Sequence, residues 1–347
     1  MKRYPLTPSP LPLPLRGRGL KVRGLFAFLS CSVLFLLLQP VLLFSGEEKV
    51  RIVATTATLA SLVREVTGDR ADIYGAAPPG RDLHFYAPTP RDVLKVKKAD
   101  VLVHMGLDLE AWRDPLLVAA GNPDFLGRRA GAIDVSKGVP LLEIPSSLSR
   151  SQGDIHAYGN PHYWLDPENA KIMVRNIAEG LARLFPEEGD VFQKNASAFS
   201  RRADEKIRDW QKRLAPYRGS PVVTFHKSWS YFAERFGLEI LGELEPKPGI
   251  PPTPKHLAEL SRMMREKGVK IILKESFQES RTPKKVARET GAKVLTLVQD
   301  AGEIKEAPDY LSAVEHNVKL VEEALSPSPS PLPPEGGEEK GEGGDSR

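Results

Sequence analysis

Cysteine is nearly absent from this chain: its 347 residues contain one, Cys31. That excludes a disulfide framework and any CxxC-type zinc ribbon. No HExxH, GxSxG or GxxxxGK[ST] occurs, nor a GxGxxG opening a βαβ unit, so the signatures of zincins, nucleophile elbows, P-loops and dinucleotide folds are missing. An excess of charge is lacking too. Lys and Arg number 49 and Asp and Glu 45, a net +4 that is too small to argue for a nucleic-acid partner. Histidine is scarce at seven residues, so a metal site has to be built from a few imidazoles and carboxylates.

Proline, by contrast, is plentiful at 31 residues and crowds the ends. Residues 5–19 (PLTPSPLPLPLRGRG) and 326–347 (SPSPSPLPPEGGEEKGEGGDSR) have no apolar period and read as disordered, low-complexity segments. Between Arg23 and Glu47 there is no charge. The stretch Leu25–Phe44 follows a basic start, and a basic region before an apolar one is an export signal. Its length of about 20 residues also suffices for a membrane anchor. Residues 1–46 are therefore a Pro-rich start plus signal or anchor. The destination is periplasmic or extracytoplasmic.

The body alternates. Strand patterns at Lys49–Thr55, Ala71–Tyr74, Val101–His104 and Ala130–Val135 are separated by helical spacing at Thr58–Val66, Pro90–Ala99 and Asp114–Ala120, which predicts βαβ units and a mostly parallel sheet. Alternation returns at Pro221–Phe225 and continues to a last helix at Tyr310–Leu325. Between lie two long helical patterns, Asn169–Leu184 and Gly189–Leu214. The second spans roughly 39 Å at 1.5 Å per residue and reads as a connector. The expected architecture is α/β: two similar lobes of mostly parallel sheet, 47–185 and 218–325, each large enough for its own core, joined by one long rigid helix within 186–217.

Ligands of parallel α/β sheets bind near the carboxyl ends of the strands. His84 and His226 sit at strand-to-helix junctions, and His162 lies in a Pro-bracketed turn before a helix. Two belong to the first lobe and one to the second, so an ion held by all three would bridge the inter-lobe cleft. Singly, each has the plain alternative of a surface or hydrogen-bonded loop histidine. Their shared placement is what points to a first-row divalent metal, for which neutral imidazole is a favoured ligand. His104 reads as packing, His156 as a neighbour that could approach the site, and His256 and His316 as solvated helix residues. Glu275 and Glu279, near a strand end, are the candidates for a water-activating base, with solvated loop carboxylates as the alternative.

Four stretches carry a resemblance to a known family: DLHFYAPTP at 82–90, ADVLVHMGLDLEAW at 99–112, GNPHYWLDPENA at 159–170 and FHKSWSYFAERFGL at 225–238. Glu275 and KKVARETGAKV at 284–294 continue in register. Over about residues 49–325 the chain resembles the zinc and manganese substrate-binding proteins of bacterial ABC transporters. The resemblance implies that His84, His162 and His226 hold one divalent ion between the lobes. It also implies a monomer that delivers the ion to a membrane permease with a cytoplasmic ATPase, and no enzymatic activity. Relatives often add an Asp after the last lobe-two strand, for which Asp300 is the candidate and water the alternative. The His-rich loop of many zinc members is missing from 143–154 (EIPSSLSRSQGD). Three imidazoles favour Zn2+ over Mn2+ as the transported ligand, and a fourth carboxylate narrows that margin. The resemblance leaves room for an adhesin with this fold. A metal-dependent hydrolase with Glu275 as base is the remaining alternative.

Overall fold

The first alternating stretch folds as β1 (Val50–Thr56), α1 (Ala57–Thr67), β2 (Ala71–Ala77), α2 (Pro90–Lys97), β3 (Val101–His104), α3 (Arg113–Ala120) and β4 (Ala132–Asp134). Two long helices follow, α4 (Pro167–Leu184) and α5 (Gly189–Leu214). The second stretch gives β5 (Pro221–Thr224), α6 (Ser230–Phe236), β6 (Glu239–Glu243), α7 (Pro254–Lys267), β7 (Ile271–Glu275), α8 (Arg281–Thr290), β8 (Lys293–Leu297) and α9 (Tyr310–Leu325). The computed structural model describes residues 49–122, 125, 131–146, 156–247 and 249–327. The export segment with Cys31, the Pro-rich start, the tail beyond residue 327, Ala130 and residues 147–154 of the His-free loop lie outside the described residues.

The helix boundaries follow from capping chemistry. Thr56 accepts from the Leu59 N–H to start α1, and Thr89 and Asp92 form a reciprocal capping box at α2. The helix expected from Asn169 begins earlier, at Pro167, because Asp166 caps it and proline fits a first turn whose N–H groups are unpaired anyway. Gly268 ends α7 in the left-handed conformation.

Both sheets are entirely parallel among their described pairs. Their strand orders, β2-β1-β3-β4 and β6-β5-β7-β8, are the same pattern used twice. The expected pair of similar α/β lobes is therefore present. The helix α5 is 26 residues long and buries one stripe: Phe192, Ala196, Phe199, Ala203, Ile207, Trp210 and Leu214. Steps of three and four keep that stripe on one face of a 3.6-residue helix.

The core differs from the expectation of one per lobe. A single apolar cluster runs from Leu62 and Leu102 through Trp164, Phe199 and Trp210 to Phe232 and Val318. A smaller cluster around Val223, Ile272 and Met264 covers the other face of the second sheet. The described residues, which start at Lys49, form one compact unit. The reason is that α5 contacts both sides. Asn195 donates to the Val66 carbonyl of α1, while Trp210 and Arg213 bond to Glu315 of α9.

Candidate metal centre

The loop after β2 is pinned before it delivers His84. The Trp112 indole N–H donates to the Leu83 carbonyl at 2.8 Å. The Tyr86 hydroxyl donates to the Ala76 carbonyl at 3.0 Å and shares the Asp92 carboxylate with Tyr74. The second loop is fixed by Asn160, whose Oδ1 accepts from the His162 amide at 3.0 Å and lies 2.9 Å from Nδ1 of the same ring. Asn160 Nδ2 also donates across the cleft to the Lys227 carbonyl at 2.8 Å. His226 stands two residues past β5, and its Nδ1 lies 3.0 Å from Oε2 of Glu245.

With Nδ1 engaged on His162 and His226, the Nε2 atoms are left to face inward. His84 Nε2 and His162 Nε2 are 3.1 Å apart. One ligating atom from each of the three histidines lies within 4.8 Å of the others. A tetrahedral zinc with Zn–N bonds of about 2.0–2.1 Å places its nitrogens about 3.3 Å apart; the 3.1 Å edge already has about that length, and the group as a whole, within 4.8 Å, has to draw in to reach it. The rings border a cavity of about 100 Å3, lined also by Asp82, Phe85, Glu245, Gly249 and Gln299. A much larger cleft of about 920 Å3 beside α4 and α5 contains no histidine and is separate from this chemistry.

Protonation suits coordination. Burial, with the neighbouring His156 and His226, pushes the His84 pKa well down, and burial with His84 and His226 does the same for His162. Both rings are thereby kept neutral, the form in which imidazole coordinates a metal. His226 goes the other way. Burial lowers it, but the Glu245 hydrogen bond and the nearby Glu275 and Glu245 charges outweigh that and raise it.

The remaining sequence candidates fall into different places. Asp300 is buried beside the site, yet its carboxylate accepts from the Thr58 hydroxyl at 3.0 Å and lies 3.4 Å from the Gly80 amide, both in the first lobe. Its neighbour Gln299 is the residue that lines the cavity. Desolvation, with the Glu303 charge, lifts Asp300 to about 7. The His156 ring packs on His84 with centroids 4.9 Å apart and stays outside the three-nitrogen group. His104 is buried, as expected, against Arg113. His256 is half-buried rather than solvated, because its Nε2 reaches the Glu243 carbonyl at 2.8 Å. Glu275 is wholly buried and its pKa is raised by desolvation, whereas Glu279 accepts from the Arg281 and Thr282 amides at the start of α8. Residue-by-residue reading of the sequence passed over Glu245 and Asn160, which hold the rings of His226 and His162. An Asn two residues before a His is an Asx-turn signal and makes Asn160 visible in hindsight.

Residues 52–324 match the family described as ZnuA, zinc-uptake complex component A periplasmic. The chain belongs to this ZnuA family. Its members are metal-binding components of transporters and not enzymes. Over 291 residues the chain is 26% identical to the manganese ABC transporter substrate-binding lipoprotein PsaA of Streptococcus anginosus, covering 80% of this chain and 90% of that protein. Over 286 residues it is 27% identical to the iron-binding protein YfeA of Yersinia pestis, covering 79% and 86%. Among solved structures, the laminin-binding protein Lmb of Streptococcus agalactiae is 27% identical with a TM-score of 0.68, covering 80% of this chain and all of that one. Lmb is a bifunctional protein with adhesin and metal-transporting activity. The ZnuA-family fold and the class of cargo, a divalent transition metal, thus agree with the three-imidazole cluster.

Proposed function

We propose that this chain binds one divalent transition metal outside the cytoplasm and delivers it to an ABC permease with its ATPase. His84, His162 and His226 are the ligands, and zinc is preferred over manganese. The observation that supports this most is the convergence of three imidazole nitrogens, one from each of three loops, with Nε2 of His84 and His162 3.1 Å apart. Borderline-soft imidazole suits zinc better than the harder manganese ion. Asp300 is the fourth donor in this reading, and turns from Thr58 towards the ion when it arrives. The protein acts as a monomer, with lobes 47–185 and 218–325 on either side of the 186–217 helix, exported by its N-terminal signal.

Competitive titration of the purified protein with zinc and manganese against a chromophoric chelator tests the reading. One ion should bind per chain, zinc more tightly, and His84→Ala, His162→Ala and His226→Ala should each weaken it severely. Wild-type zinc affinity in all three variants would remove the site. Zinc should also raise the melting temperature of the wild-type protein, because a ligand that binds only the folded state stabilises it. The Lmb relative favours a second, additional role in adhesion. Metal-independent binding to immobilised laminin would support it, and its absence would leave transport alone.

A further inference from the structure

Nδ1 of His226 faces the Glu245 carboxylate at 3.0 Å, and strand register explains why. β5 pairs with β6 as Val222 with Ile240, then Val223 with Gly242 and Thr224 with Glu243, so a bulge at Leu241 slips the ladder by one residue. The ladder continues past the strand ends. The Leu244 amide donates to the Thr224 carbonyl and the Glu245 amide to the Phe225 carbonyl, both at 2.8 Å. Extrapolating the register sets Glu245 opposite His226; without the slip Leu244 would stand there. Bulges of this kind re-aim side chains next to functional sites.

The same carboxylate has a second partner. While Oε2 faces His226 Nδ1 at 3.0 Å, Oε1 accepts from the Gly249 amide at 3.1 Å. Gly249 lines the three-histidine cavity. It has φ +75°, and a Cβ there would lie 3.6 Å from Phe85 Cζ, across the cleft. Phe85 adjoins His84 and is 66% exposed. Gly249 of the second lobe and Phe85 of the first therefore meet at the cavity.

We propose that Glu245 is a positioning residue that holds the His226 ring for the metal and, through the Gly249 amide, ties occupancy of the site to the turn closing against Phe85. This rests on the reading that the three histidines bind the cargo. A ligating imidazole that donates its other N–H to a carboxylate is fixed in orientation and made more basic, and removing such a partner commonly weakens metal binding 10- to 100-fold. Release would then require the turn to let go of Glu245, and a docked permease that displaces the turn would loosen His226 together with it.

The test measures zinc affinity by chelator competition and hydrogen exchange of the Gly249 amide by NMR, each with and without zinc, in wild type, Glu245→Gln and Glu245→Ala. In the wild type zinc should slow exchange at Gly249. Glu245→Ala should lose about 10- to 100-fold in affinity, and exchange at Gly249 should no longer respond to zinc. Glu245→Gln keeps one acceptor oxygen, so its affinity loss should be smaller, yet the response at Gly249 should fall because one oxygen cannot serve both partners as the carboxylate does. Wild-type affinity in Glu245→Ala, or a wild-type response of Gly249 in both variants, overturns the coupling. A wild-type protein that takes up no zinc, or a His226→Ala variant that binds normally, instead overturns the ligand assignment, so the two failures are separable.

Discussion

Breaking the Asp166–Arg235 pair should loosen the site without touching a ligand. Asp166 stands four residues after His162, and Arg235 lies on α6, nine residues after His226. The guanidinium grips the carboxylate through Nε at 2.7 Å and Nη2 at 2.8 Å. Side-chain exposure is 11% for Asp166 and 27% for Arg235, which places the pair between two regimes. Exposed pairs contribute about 0–1 kcal/mol, and losing one partner of a buried pair costs about 3–5 kcal/mol. The expected coupling is about 2 kcal/mol, reduced from the buried value because Arg235 can still reach water. Asp166→Asn is the informative change, since Asn caps α4 about as well as Asp and so isolates the ion pair from the cap. Arg235→Met keeps much of the apolar stem. A double-mutant cycle by urea unfolding without metal gives the coupling. Because the pair sets the spacing between the loops of His162 and His226, each single variant should also bind zinc about three- to tenfold more weakly, at tenfold per 1.4 kcal/mol. A coupling below about 0.5 kcal/mol, within the scatter of additive sites, would refute the reasoning, as would zinc affinities equal to wild type.

Three further outcomes follow from the structure. His104 is held near pKa 4 by burial and by Arg113; the unfolded chain takes up a proton near 6.5 and the folded one does not. Stability is thus retained above pH 6.5 and lost as pH falls towards 4, by up to about 3 kcal/mol. His104→Gln should show a shallower acid limb in urea titrations at stepped pH, and parallel limbs would contradict this. In α4, a Cβ on Gly180 would lie 2.6 Å from Ile133 Cδ1 and 2.8 Å from its Cγ1. The gain of about 1 kcal/mol from Ala in a helix should be outweighed by overpacking of about 1–3 kcal/mol. Gly180→Ala should therefore lower the melting temperature, Ile133→Val should relieve part of the loss, and a stabilised single variant would count against the close approach. Finally, the lobes are tied by Trp164 to the Gln299 carbonyl, Tyr310 to the Trp164 carbonyl, and Tyr231 to Asn160 and Leu142. Zinc should accordingly change the X-ray scattering radius of gyration by less than about 0.5 Å on a value of about 19 Å for a body of this size. A contraction well beyond that would argue for wide hinge closure instead.

Which parts were legible in sequence depends on whether the information is local. Strand-helix alternation and the Gly and Pro punctuation are local, and they gave both parallel sheets. His84 and His226 were legible as candidates because parallel topology sends the loops that follow the strands to one edge, and His162 because its turn opens a helix in the same way. The shared core was not legible. The stripe on α5 from Phe192 to Leu214 announces a buried face, but periodicity carries no information about whether one lobe or both cover it. Asp300 illustrates a second limit. Alternation assigns faces only inside a strand, and β8 ends at Leu297, so whether Gln299 or Asp300 faces the cavity was undetermined; the structure lines the cavity with Gln299 and holds Asp300 on Thr58 and Gly80. Glu245 is the sharpest case. Its place beside His226 depends on a one-residue slip at Leu241; Gly242 beside it is the kind of strand glycine that marks a bulge, but it does not say which residue slips or what the shifted register faces. Deleting the slip would oppose His226 with Leu244, leaving the ring without its carboxylate while the three histidines and their loops stay unchanged. The convergence of the three histidines can therefore be read from residue types and topology, whereas the groups that orient the rings depend on register, which is set by packing between elements.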